Sequence, residues 1–253
     1  MNNSQMRTYL ARHIAVIGLC FAGASALAAA ESVDQIIERM NRAEDQRRSH
    51  LHEFWGSRKY VLKNDRWNKN AEMQVEVQYK QGQGKTFQML AATGSEDIQN
   101  RVFKKLIDTE SEASRDRSDA DPSRLSPENY KFQLIGTEER NGRQAYVIEL
   151  HPRKKSKFLI EGKAWVDAQD YALARLEGRP ASNISFWVGR PYIVQNFAKV
   201  GEQWMASSNH STAESRLFGK TELHIEYSRY RMNGNGTIRI AAGKAAPMTG
   251  SLD

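Results

Sequence analysis

The sequence predicts a mainly β protein of the α+β class: one large antiparallel sheet of about ten strands that curls or closes, with helices over its concave face. Three observations carry this reading. Short runs of alternating apolar and polar residues recur along most of the chain, turn-forming residues separate them, and only two stretches show an apolar stripe at helical spacing.

The clearest alternation lies between Ala145 and Pro180. Its first strand puts Tyr146, Ile148 and Leu150 on one face. Its second puts Phe158, Ile160, Ala164 and Val166 there, with Glu161, Lys163 and Asp167 opposite. In the third, Tyr171 and Leu173 continue one face while Ala172, Ala174 and Leu176 could line the other, so periodicity does not decide which side is inward. The small residues Gly162, Ala164, Ala172 and Ala174 point to a sheet that bends or leaves space beside it.

Upstream, Ser32 caps a helix striped by Val33, Ile36, Ile37 and Met40, with Asp34 in its first turn and a broad polar face beyond Met40. Strands begin near Phe54: Arg58, Tyr60 and Leu62 alternate with Lys59, Val61 and Lys63. Met73, Val75, Val77 and Tyr79 form the next face, and Phe87 and Met89 the one after, across a Gln81–Gly84 turn that marks a hairpin. Ser95 opens the second helix, striped by Ile98, Val102, Phe103, Leu106 and Ile107. The polar segment 110–128, with Pro122 and Pro127, has nothing to bury and reads as a mobile loop.

Asn141-Gly142 is the strongest short hairpin signal and leads into the meander. Past Pro180 come an irregular connection, strands at Tyr192–Lys199 and Trp204–Ala213, and a last clear strand with Leu223, Ile225 and Tyr227 on one face. A short strand is expected at Thr237–Ile240, with the tail 233–253 otherwise flexible.

The first thirty residues read as a cleavable secretory signal. Arg7 and Arg12 precede an apolar run from Ile14 to Leu27, and Ala26, Ala28 and Ala30 offer cleavage sites. The expected organisation is a signal peptide over 1–30, one β domain over 31–232, and the tail. Cys20 is the only cysteine and leaves with the signal; Leu19 before it does not fit a lipobox. No later stretch approaches the ~20 apolar residues that span a bilayer. Lys and Arg outnumber Asp and Glu by 37 to 30, and the net charge of +7 falls to +5 once Arg7 and Arg12 are removed. This spread-out excess is only a weak pointer to anionic partners.

Motifs for chemistry are sparse. Gly84-Lys85-Thr86 has Tyr79 where a phosphate loop needs its first glycine, and it lies between strands. His50 and His52 would point to different sides, His151, His210 and His224 are isolated in sequence, and no metal-ligand spacing is present. There is no nucleophile elbow, and Glu161 and Asp167 alternate outward. Arg153, Lys154, Lys155 and Lys157 form a basic turn, read as edge protection with a head-group or acidic-partner contact as the alternative. Aromatics do not interleave with it, which argues against nucleic acid. No cofactor, metal site or catalytic residue is expected.

The segment KFLIEGKAWVDAQDYALARLEGRPA and the stretch from Ser185 to Tyr227 resemble the outer-membrane lipoprotein-sorting, LolA-like proteins of the bacterial envelope, most specifically at the W-V-D-x-x-D-Y-A turn, Trp165 to Ala172. The resemblance implies an open antiparallel β half-barrel with helices as a lid and a hydrophobic cavity that holds acyl chains while the protein crosses the periplasm. It also implies a role in lipoprotein handling for an arginine near the start of the sheet, a region in which Arg58 falls.

The function expected is therefore a periplasmic, non-enzymatic carrier of lipid or lipoprotein acyl chains, meeting inner- or outer-membrane transport proteins and not spanning the membrane itself. Candidate ligand-binding residues are Arg58, Tyr60, Leu62, Val75, Val77, Phe87, Met89, Ile148, Ile160 and Leu223. By parity alone any of them could instead pack against the helices. The alternatives are an envelope sensor or protein-interaction module on the same fold, and a hydrolase of envelope polymers.

Overall fold

The computed structural model describes residues 31–115, 122–184, 190–215 and 219–240. The proposed signal peptide and the end of the tail lie outside the described residues.

Helix α1 (Val33–Ser49) starts where expected. Ser32 Oγ accepts from the Gln35 amide and the Gln35 side chain accepts from the Ser32 amide, a reciprocal cap. Strands β1 (Glu53–Asn64), β2 (Lys69–Lys80) and β3 (Gly84–Gly94) form a meander. A second helical rod follows in three parts: α2 (Glu96–Ile98), a π-helical segment (Gln99–Phe103) and α3 (Lys104–Arg115). Then come β4 (Tyr130–Arg140), β5 (Arg143–Pro152), β6 (Ile160–Asp167), β7 (Leu173–Pro180), β8 (Tyr192–Val200), β9 (Gln203–Ser215), β10 (Gly219–Met232) and the short β11 (Ile238–Arg239). Among the described residues, no helix is long and apolar enough to cross a membrane.

The sheet is open and antiparallel, in the order β3-β2-β1-β10-β9-β8-β7-β6-β5-β4, with β11 added beside β10. Directly opposed residues of antiparallel strands share a face. One such row runs from Leu62 through Leu223, Ser211, Ile193 and Gly178 to Gly162 and Leu150. Both helical elements cover this one face, hereafter the inner face. The α2–α3 rod packs Ile98 and Phe103 on β1 and β2, and α1 packs Ile36, Ile37 and Met40 on β5 and β6.

Between the two covered halves the inner face turns polar. Asn209 Nδ2 donates to Gln195 Oε1 at 2.9 Å, and Ser211 Oγ donates to Asn209 Oδ1 at 2.9 Å. The sheet thus carries two apolar basins rather than one continuous hollow.

Several local expectations hold in detail. Asn141 and Gly142 both take positive φ, 52° and 74°, as a two-residue hairpin requires. Others change. The segment from Glu110 is helical as far as Arg115, and Leu125, Ser126 and Asn129 are buried, so this part of the chain does have something to bury. Phe158 precedes β6 and is 46% exposed instead of sharing the face of Ile160. Nor do the small residues leave a hollow. Gly162 opposes Gly178 because a side chain at Gly162 would run into the Glu177 carbonyl, and Ala164 and Ala172 are fully buried.

The Trp165–Ala172 turn is a hub. Asp167, 1% exposed, accepts two hydrogen bonds from the Arg143 guanidinium at 2.6 and 2.7 Å and the backbone amides of Gln169 and Asp170. Arg47 from α1 donates to the Asp170 and Tyr171 carbonyls, tying helix to turn. Asp167→Ala takes the shared acceptor from the partly buried Arg143 guanidinium and two turn amides, although Arg143 keeps Asp170, and is expected to lower stability by about 1–3 kcal/mol, read as a shift in the urea midpoint at unchanged slope. A loss under about 0.5 kcal/mol would mean that the hub is ornamental.

Candidate functional site

The alternation of β1 sends Arg58, Tyr60 and Leu62 to the inner face. Arg58 lies opposite Val75 on one side and Tyr227 on the other, while Leu62 lies opposite Leu223. Val77 pairs with Phe87, and Val75 with Met89. The cross-strand ladder therefore gathers most of the sequence candidates into one basin. Tyr60, Leu62, Val75 and Val77 are buried, and Phe87 and Leu223 are partly so. Phe103 of the π segment closes the basin, its ring centroid 5.8 Å from that of Tyr60.

One cation lies within this apolar set. Arg58 is 6% exposed, with its guanidinium carbon 4.8 Å from the Tyr227 ring centroid and 5.5 Å from that of Phe87. It donates twice to the Glu110 carboxylate of α3, at 2.7 and 3.0 Å, and once to the Tyr60 hydroxyl at 3.3 Å. Lys85 Nζ reaches the same carboxylate at 2.7 Å.

Burial alone would pull the Arg58 pKa down, but the Glu110 carboxylate more than offsets it and the guanidinium stays charged. For Glu110, burial pushes upward and is overcome by Lys85 and Arg58, which hold the carboxyl at about 2. Burial raises the Tyr60, Tyr227 and Tyr230 phenols, so these rings are neutral walls. Ser111 Oγ donates to the Lys85 carbonyl, and the Lys85 amide donates to Ser114 Oγ. Lys85, weighed in the sequence as part of a phosphate-loop remnant, is thus an anchor for α3.

The remaining candidates lie elsewhere. Ile148 is fully buried in the second basin, under α1 with Leu150, Ala164 and Val166. Ile160 is half-buried at the start of β6, opposite Pro180. Met89 is 62% exposed on the edge strand β3.

The hydrophobic cavity implied by the sequence resemblance is shut: helix side chains occupy both basins. A cleft of about 340 Å3 between α1 and residues 124–128, and another of about 580 Å3 between the end of α1, the β8–β9 turn and residues 232–238, are not lined by Tyr60, Val75, Val77 or Ile148.

Sequence reasoning missed Glu110 because it placed that residue at the start of a loop. The signal was present. Glu110 falls four residues after Leu106 and three after Ile107, on the continuation of the helical stripe. Asp167, expected to alternate outward with Glu161, is instead buried and locked to Arg143, while Glu161 pairs with Arg190. In the basic turn, Arg153 donates to the Pro127 and Tyr130 carbonyls and so braces the second basin.

A family model described as a family of unknown function, DUF5686, matches residues 68–230. No curated protein matches the chain. Among solved structures, the chain is similar to a domain described as an outer membrane lipoprotein-sorting protein from Vibrio parahaemolyticus, at 15% identity and TM-score 0.41, covering 78% of this chain and 93% of that one. It is also similar to a LolA superfamily protein from Nitrosomonas europaea, at 13% identity and TM-score 0.41, covering 81% and 94%. A DUF1329 family protein from Desulfovibrio piger is 12% identical, with TM-score 0.37 and coverage of 79% and 91%.

Proposed function

The chain belongs to the DUF5686 family of unknown function, and within it we propose that this member is a non-enzymatic carrier of the bacterial envelope. It shelters acyl chains of a lipid or lipoprotein between the inner sheet face and the α2–α3 rod, and delivers them across the periplasm towards the outer membrane. The supporting observation is the basin itself: an apolar wall of Tyr60, Leu62, Val75 and Val77 beneath an amphipathic rod that Glu110 ties to Arg58 and Lys85. Exposed Met89 extends the register of that wall to the sheet edge.

Magnitudes support an exchange. Lifting the rod removes Ile98, Val102, Phe103 and Ile107 from the basin, at roughly 1.5–3 kcal/mol each and so roughly 6–12 kcal/mol together. An acyl chain of about 14 methylenes, at about 0.8 kcal/mol apiece, returns about 11 kcal/mol. The apolar terms alone nearly cancel, and parting Glu110 from Arg58 tilts the balance towards the closed rod by about 3–5 kcal/mol. Uptake is then reversible, as delivery requires.

The protein purified from an envelope fraction, extracted with organic solvent and examined by mass spectrometry, is expected to yield lipid. The stripped protein is expected to take up a fluorescent fatty acid. A protein that arrives empty and ignores the probe, yet retains one envelope protein on a column, would replace the carrier reading with the sensor or interaction-module reading.

A further inference from the structure

The geometry points to a divalent transition-metal site on the outer face of the sheet, built from His210 on β9 with His224 and Glu222 on β10. The two histidines are far apart in sequence, but they are directly opposed in the β9–β10 ladder, and Glu222 precedes His224 by two residues and so shares its face. The imidazole rings stack with centroids 4.0 Å apart and planes 19° from parallel. One ligand atom from each of the three residues lies within 4.8 Å of the others. With bonds of about 2.0–2.1 Å, tetrahedral zinc needs ligand atoms roughly 3.3 Å apart, so closure takes about 1.5 Å of approach together with rotation of the stacked rings, whose lone pairs lie in the ring planes.

The backbone is well placed to hold such a set. β9 is hydrogen-bonded between β8 and β10, and β10 between β9 and β1, so neither strand is a free edge.

Around the set stand Lys220, whose Nζ is 2.6 Å from one Glu222 oxygen, and Thr212, whose hydroxyl is 3.5 Å from His210 Nε2. The other Glu222 oxygen is 3.9 Å from His224 Nε2. The ordinary alternative is a solvated histidine stack beside a surface ion pair. What favours the metal is that two imidazoles and a carboxylate bring their ligand atoms within 4.8 Å of one another with no thiolate, a donor set suited to Zn2+, Cu2+, Ni2+ or Fe2+. Three protein ligands leave a coordination position open to water or an outside group.

Calorimetric titration of the untagged protein with ZnCl2 tests the site, and its outcome is independent of whether the inner face carries acyl chains. One equivalent is expected to bind, with His210→Ala and His224→Ala each weakening affinity by about 100-fold or more. Lys220→Ala frees the carboxylate and is expected to bind at least as tightly as the parent, and His151→Ala, on another strand, to bind like the parent. Should an alanine variant misfold, the visible spectrum of Co2+ bound to the unaltered protein reports the ligand set directly, with nitrogen and oxygen ligands expected. Absence of stoichiometric uptake by the parent, binding that survives in the His210→Ala/His224→Ala variant, or a Co2+ spectrum without histidine ligation would overturn the proposal.

Discussion

Glu110→Gln is expected to destabilise the protein by about 3–5 kcal/mol, the cost of leaving a buried cation without its partner. The cation is Arg58, which lies between Phe87 and Tyr227 and has only the weak Tyr60 hydroxyl contact to fall back on. Arg58→Met is expected to cost far less, because Glu110 sits nearer to solvent and keeps Lys85. The double variant Arg58→Met/Glu110→Leu is expected to recover most of the loss, since it swaps a charge pair for apolar contact.

The same pair fixes a pH dependence. Glu110 titrates at about 2 in the folded chain against an ordinary 4.5. A depressed folded pKa gives stability that is complete above the unfolded value and drains away as the pH falls from 4.5 towards 2. Urea titrations across that window check it, and Glu110→Gln should flatten the profile. Equal losses for the two single variants would refute the asymmetry between a trapped cation and a wetter anion.

Phe103→Ala carries the second large effect, about 3–5 kcal/mol, because a fully buried ring is removed from a packed wall. Where the loss appears is informative. If the α2–α3 rod opens as its own unit, amide exchange over residues 96–115 should accelerate by on the order of 100-fold while β5 and β6, under α1, hardly change. Uptake of an acyl probe should also become faster and its retention weaker. Uniform acceleration through both basins would mean that the rod and sheet melt together, which is incompatible with a moving lid.

Much of the fold was legible because burial on one face of a strand writes itself as alternation. Tyr60 and Leu62, or Val75 and Val77, needed no more than parity. Parity failed where the ladder is irregular. A bulge at Trp165/Val166 places Val166 opposite Leu173 and Ala164 opposite Leu176, so both leucines pack under α1 although they are an odd three positions apart. That is why the third strand of the meander gave no inward side.

Charge misled as well. Glu110 and Ser114 belong to a helix, but the polar residues around them hid the continuation. The histidine pair could not be read at all, since opposition across two strands is a property of register and leaves no local spacing.

The sheet order has a consequence for how the molecule is made. β1, close to the start of the folded region, has β10 as its neighbour, and Leu62 waits for Leu223. A chain made in sequence order presents its opening three-stranded meander long before β10, the strand it pairs with, has arrived. The seam that joins the two ends closes last, so the basin around Arg58, which needs Tyr227 of β10, is completed only when nearly the whole chain is in hand.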